Sequence, residues 1–110
     1  MKKKQPVTMQ VMYFPKKGKE KSLRALIEKH GKTLRKTGLI TDEPVRVWRA
    51  VDKRGHGSEK PYFVEMFQWR DEDASRLAHQ TPAVMAVWEP MDAVMESMTL
   101  AKLDLVATTD

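Results

Sequence analysis

Apolar residues fill both sides of a strict alternation from Tyr62 to Trp69 (YFVEMFQW). Tyr62, Val64, Met66 and Gln68 fall on one face; Phe63, Glu65, Phe67 and Trp69 fall on the other. Five of these eight residues are aromatic or β-branched, Pro61 precedes them and Arg70-Asp71-Glu72 follows, which predicts a strand. Two apolar faces both need cover. The helices of a 110-residue chain suffice for one, and the second face needs a partner subunit, a ligand or both.

Alternation also predicts strands over Val7 to Phe14, with Val7, Met9, Val11 and Tyr13 on one face, and over Val45 to Asp52. A last strand is predicted over Thr99 to Ala107, with Ala101, Leu103 and Leu105 facing the core and Lys102 and Asp104 opposite. The pattern turns helical from Lys19 to Lys36, where Leu23, Leu26, Ile27, His30 and Leu34 form one stripe. Glu20–Arg24 and Glu28–Lys32 are i,i+4 pairs on the wet side, and Gly38 is placed to end the helix. Gly31 costs that helix about 1 kcal/mol against alanine, which predicts a bend or a close packing contact.

After the Tyr62–Trp69 strand, Asp71 is a predicted N-cap with Glu72 and Asp73 in the first turn. Thr81-Pro82 opens a second helix, with Val84, Trp88, Met91, Met95 and Met98 on one stripe. Pro90 is expected to kink that helix, or to end one at Trp88 or Glu89 and begin another. The order is β-α-β-β-α-β with the second helical region split. That is an α+β, ferredoxin-like arrangement with a four-stranded antiparallel sheet.

Composition adds limits. The length fits one domain over residues 7–107 behind a flexible tail at residues 1–6. With 41% hydrophobic and 32% charged residues the chain is globular. It has no Cys, which excludes disulfides and thiolate metal sites. No apolar run has the length of a membrane span, and the first residues lead into no signal-peptide core, so a cytoplasmic protein is expected. The net charge of +5 is uneven: residues 1–36 carry twelve basic and two acidic groups, residues 37–110 eight and thirteen. Such a basic half suits either nucleic acid or the solvated face of a helix, and the solvated face is favoured.

The first strand runs into a Gly18-Lys19-Glu20 helix start. The third ends FQWRDEDA (Phe67 to Ala74) and is followed by HQTPAVMAVWEPM (His79 to Met91). On these residues the chain resembles the dimeric α/β-barrel proteins, in particular the antibiotic-biosynthesis-monooxygenase type. The resemblance covers roughly Val7 to Ala107. It implies a homodimer whose two sheets face each other around a barrel-like cavity, with helices outside. It also implies chemistry without metal or flavin: an aromatic or polycyclic phenolic substrate loses a proton and its anion reacts with dioxygen. Haem-degrading relatives use Asn, His and Trp around the porphyrin. This chain has no Asn and offers Trp88 where they carry the haem-ligand His, which argues against haem degradation.

Glu65 is the sharpest candidate for a base, because it alternates with Phe63 and Phe67 and burial raises a carboxyl's pKa. Its structural alternative is an ion pair with Arg46 or Arg49 on the next strand. His79, just before the Thr-Pro helix start, is the second polar candidate, as a hydrogen-bond partner of a substrate oxygen; the alternative is a His satisfied by backbone. Trp48, Phe63, Phe67, Trp69 and Trp88 are candidate walls for a small aromatic or hydrophobic ligand, although Trp is as readily a core or interface anchor. His30 reads as a core or interface histidine and His56 as a loop-tip residue, and the three His show no metal-ligand spacing. The Gly55–Ser58 stretch reads as a turn in a hairpin loop, not a phosphate loop.

Three functions follow: a cofactor-independent oxygenase, a non-catalytic dimer that binds a hydrophobic ligand or serves as a structural partner, and an RNA-binding module of the same strand order. For the last, Lys60, Tyr62 and Phe67 match the RNP1 pattern while Pro61, Phe63, Val64 and Glu65 do not. An acid on the RNA face would repel phosphate, so this reading ranks last.

Overall fold

A computed structural model of the chain describes residues 4–53 and 60–110. In order it forms β1 (Val7–Pro15), α1 (Glu20–Lys36), β2 (Arg46–Ala50), β3 (Tyr62–Trp69), α2 (Asp73–Ala78), α3 (Pro82–Val94) and β4 (Met95–Leu103). The sheet runs β2-β3-β1-β4, every neighbouring pair antiparallel. This is the expected ferredoxin-like arrangement with its second helical region split. The predicted turn around His56 and Gly55–Ser58 lies outside the described residues.

The helices cover one face of the sheet. Met9, Val11 and Tyr13 of β1 and Phe63, Phe67 and Trp69 of β3 are buried there against Leu23, Ile27 and Leu34 of α1 and Val84, Val87 and Met91 of α3. Each fully buried Leu or Ile of α1 contributes about 1.5–3 kcal/mol. Gly31 marks a packing contact: a Cβ built there would lie 3.1 Å from Val45 Cγ1. α1 ends as expected at Gly38, whose φ of 73° allows Gly38 N–H to reach the Arg35 carbonyl and Leu39 N–H the Leu34 carbonyl. Asp71 caps α2, its Oδ1 accepting from the backbone N–H groups of Asp73 (2.9 Å) and Ala74 (3.1 Å).

Four expectations need correction. Pro90 does not end the helix: α3 continues to Val94. Pro90 and Ala86 are both exposed, so the carbonyl left without a donor lies on the solvated side. Met95 and Met98 therefore belong to β4, not to the helical stripe. β4 also starts earlier than expected and has the opposite phase. Val11 pairs with Leu100 and Tyr13 with Met98, which turns Met98, Leu100 and Lys102 to the helix side and Ala101 and Leu103 to the open side; Leu105 is exposed beyond the strand. Finally, Glu20 pairs with Arg49, and Glu28 with Arg24, instead of the i,i+4 partners predicted.

The other face carries Thr8, Gln10, Met12 and Phe14 of β1, Val64 and Met66 of β3 and Trp48 of β2. No helix covers Trp48, which is 46% exposed. Among the described residues, no helix is long and apolar enough to cross a membrane.

Candidate functional site

Strand alternation puts Glu65 on the helix-covered face, where it is 0% exposed. A carboxylate taken out of water must find donors, and two converge on it. Tyr13, diagonal to it on β1 (Val11 is the residue directly opposite), donates its hydroxyl to Glu65 Oε1 at 2.6 Å. His30, on the buried stripe of α1, sets Nδ1 3.1 Å from Oε1 and 3.0 Å from Oε2. Against an ionised carboxylate, which only accepts, this contact is a hydrogen bond when the ring proton sits on Nδ1. The ion pair expected with Arg46 or Arg49 is absent. Arg49 is engaged by Glu20, and Arg46 extends from the opposite face of the sheet.

Tyr13 and His30 form part of the wall of a cavity of about 460 Å³ between the sheet and the helices. Phe67, Trp69 and Trp88 give it aromatic sides, and Met85, Met91, Met95 and Met98 give it adaptable ones. The His30 ring lies edge-on to Phe67 (5.9 Å between centroids) and tilted against Trp88 (6.2 Å). Among the described residues no group hydrogen-bonds His30 Nε2, and no buried side-chain nitrogen or oxygen lacks a partner, so Nε2 opens onto the cavity. Glu65 stands behind this wall, touching the cavity only through His30 and Tyr13.

His79 caps the C-terminus of α2 and is exposed at the cavity mouth, its ring edge-on to Trp88 at 4.8 Å. Of the other expected wall residues, Phe63 is buried in the closed core and Trp48 lies on the opposite face of the sheet, so neither lines this cavity. The structure thus gathers Phe67, Trp69, Trp88 and His79 at one cavity and brings Glu65 to it through His30. Sequence reasoning named Glu65 but missed Tyr13 and His30 as its partners. The signal was present: on the predicted inner stripes of β1 and α1 these are the polar members, and a buried carboxylate needs such partners. The same geometry revises the RNA argument, since Glu65 is not on the open face where RNA would bind.

Burial above all, then the charge and hydrogen bond of Glu65, holds the Tyr13 phenol well above its ordinary pKa. The unfolded chain therefore loses this proton at lower pH than the folded one. The contribution is complete below the ordinary tyrosine pKa and is lost as pH rises through the folded value. Urea unfolding between about pH 8 and about pH 11 should show a shallower alkaline loss of stability in Tyr13→Phe than in wild type. Among the described residues, no three His, Asp or Glu side chains form a metal-holding group.

No protein-family model and no curated protein matches the sequence. Solved structures do match the fold. An antibiotic biosynthesis monooxygenase superposes over 92% of this chain and 99% of its own, with TM-score 0.68 and 18% identity. SnoaB from Streptomyces nogalater, a cofactor-independent oxygenase solved as a mutant, covers 94% and 95%, with TM-score 0.66 and 14% identity. PA3566 from Pseudomonas aeruginosa covers 93% and 95%, with TM-score 0.69 and 18% identity. In fold, then, this chain is an antibiotic-biosynthesis-monooxygenase-like, ferredoxin-like domain.

Proposed function

We propose that the cavity binds a planar aromatic substrate with an acidic C–H or O–H, that His30 Nε2 removes that proton, and that the resulting anion reacts with dioxygen. The observation that carries this reading is His30 itself: Nδ1 held by a fully buried Glu65 and Nε2 open to an aromatic-walled cavity. Glu65 acts as the positioning residue. It fixes the tautomer and stabilises the imidazolium formed when the proton arrives. Phe67, Trp69 and Trp88 supply stacking area.

The chemistry balances with dioxygen as co-reactant. The substrate anion passes one electron to dioxygen, and the radical pair joins in a new C–O bond. The His30 imidazolium returns the proton to give a hydroperoxide. Loss of water then leaves a carbonyl, so a CH₂ group and one O₂ become a C=O group and one H₂O. The likeness in fold to SnoaB, a cofactor-independent oxygenase, supports the same class of reaction. The test is dioxygen consumption with anthrone-like and quinol substrates, with no metal or flavin added. One O₂ consumed per substrate supports the oxygenase; tight binding without consumption leaves a ligand-binding protein.

The second copy belongs to the same proposal. Trp48, Met12, Phe14, Val64 and Met66 give the open sheet face an apolar surface that a second sheet would cover. Sedimentation at micromolar concentration should give twice the 12.7 kDa chain mass, and Trp48→Glu should shift it toward the monomer. A wild-type monomer would contradict the dimer without touching the cavity, which lies within one chain.

A further inference from the structure

The cavity is basic at its inner end and acidic at its mouth. His30 Nε2 faces the inside, while Glu89 and Asp92, three residues apart on one side of α3, are exposed at the rim. Among the described residues no Lys or Arg lines the cavity, although the chain as a whole carries +5. The end of α3 strengthens the sign of the rim. Its last turn holds no basic residue, and the C-terminal end of a helix carries partial negative charge. His79, the remaining titratable group at the mouth, faces Trp88. A ligand with its acidic group at His30 must send its other end past two carboxylates.

We propose that this rim selects the substrate by charge. The cavity takes an aromatic phenol or related carbon acid whose outward substituent is neutral or cationic, such as an aminoalkyl chain, and disfavours the same ring with a carboxylate tail. The inference rests on the reading of the cavity as a ligand site and adds the class of substituent. The carboxylates are exposed, so the selection is moderate and weakens with salt.

Calorimetry with three probes tests it: 2-naphthol, a naphthol with an aminoethyl tail and one with a carboxyethyl tail. At low salt the amine should bind on the order of tenfold tighter than the carboxylate, with the gap closing toward about 1 M salt. The double variant Glu89→Gln/Asp92→Asn should remove the gap between the two tailed probes. Equal binding of the two tailed probes at low salt, or a gap that survives the double variant, overturns the charge selection and leaves the cavity reading standing. Failure of all three probes to bind overturns both.

Discussion

Glu65→Ala should destabilise the fold by about 3–5 kcal/mol, the cost of removing one partner from a buried charged cluster. Glu65 is fully buried, and its two oxygens accept from Tyr13 at 2.6 Å and His30 at 3.0 Å. Without them, a buried hydroxyl and a buried ring N–H lose their acceptor and a void opens between β3 and α1. Glu65→Gln should cost less, about 1–3 kcal/mol, because the amide keeps the shape and one acceptor but turns a donor toward a donor. An exposed pair with an arginine would instead contribute about 0–1 kcal/mol. Urea unfolding of Glu65→Ala separates the two cases: a loss below about 1 kcal/mol contradicts the buried network.

His30→Gln should lower turnover of an anthrone-like substrate by about 10²–10⁴-fold while the protein stays folded and still binds the ring. Gln reaches Glu65 with an amide donor and fills much of the imidazole volume, so the cluster keeps a partner for the carboxylate. It has no basic nitrogen to present to the cavity. The aromatic walls are untouched, so affinity should change far less than rate, a loss in kcat with KM held. His79→Ala is the control at the mouth. His79 is exposed and meets Trp88 edge-on, so its loss should weaken binding several-fold and leave the proton-transfer step in place. A His79 variant that stops turnover while His30→Gln does not would reverse the assignment.

Much of the fold was written in short-range pattern. The β3 strand ran from Tyr62 to Trp69 as its alternation predicted, and α1 buried Leu23, Ile27, His30 and Leu34 as its stripe predicted. These segments have one strong periodicity each, and the turn residues around them agree with it. Legibility failed where two readings of the pattern were equally apolar. In β4, Met98 and Leu100 compete with Ala101 and Leu103, and pairing with Val11 and Tyr13 decides between them. Of the two outcomes expected at Pro90, the break did not occur, because its exposed position, which makes the lost hydrogen bond tolerable, is a property of the packed helix.

The site was half legible for a related reason. Alternation said that Glu65, Phe67 and Trp69 share a face, but which face the helices cover is a tertiary fact. Once α1 and α3 lie over it, Glu65 sinks behind the wall and His30, read as a core histidine, becomes the group that meets the cavity. Trp48 was grouped with Trp69 and Trp88 as a ring that can stack on a planar ligand; its register against Val64 puts it on the far side of the sheet.

Proton abstraction by His30 is the central step, and anaerobic hydrogen exchange measures it without the oxygen chemistry that follows. Anthrone incubated in D₂O without dioxygen, with substoichiometric protein, can be read by mass spectrometry for deuterium at its acidic carbon. Wild type should exchange well above the buffer rate and His30→Gln at the buffer rate, while anthrone binding persists. Exchange at the buffer rate with wild-type protein that binds anthrone, or undiminished exchange with His30→Gln, would contradict proton abstraction by His30.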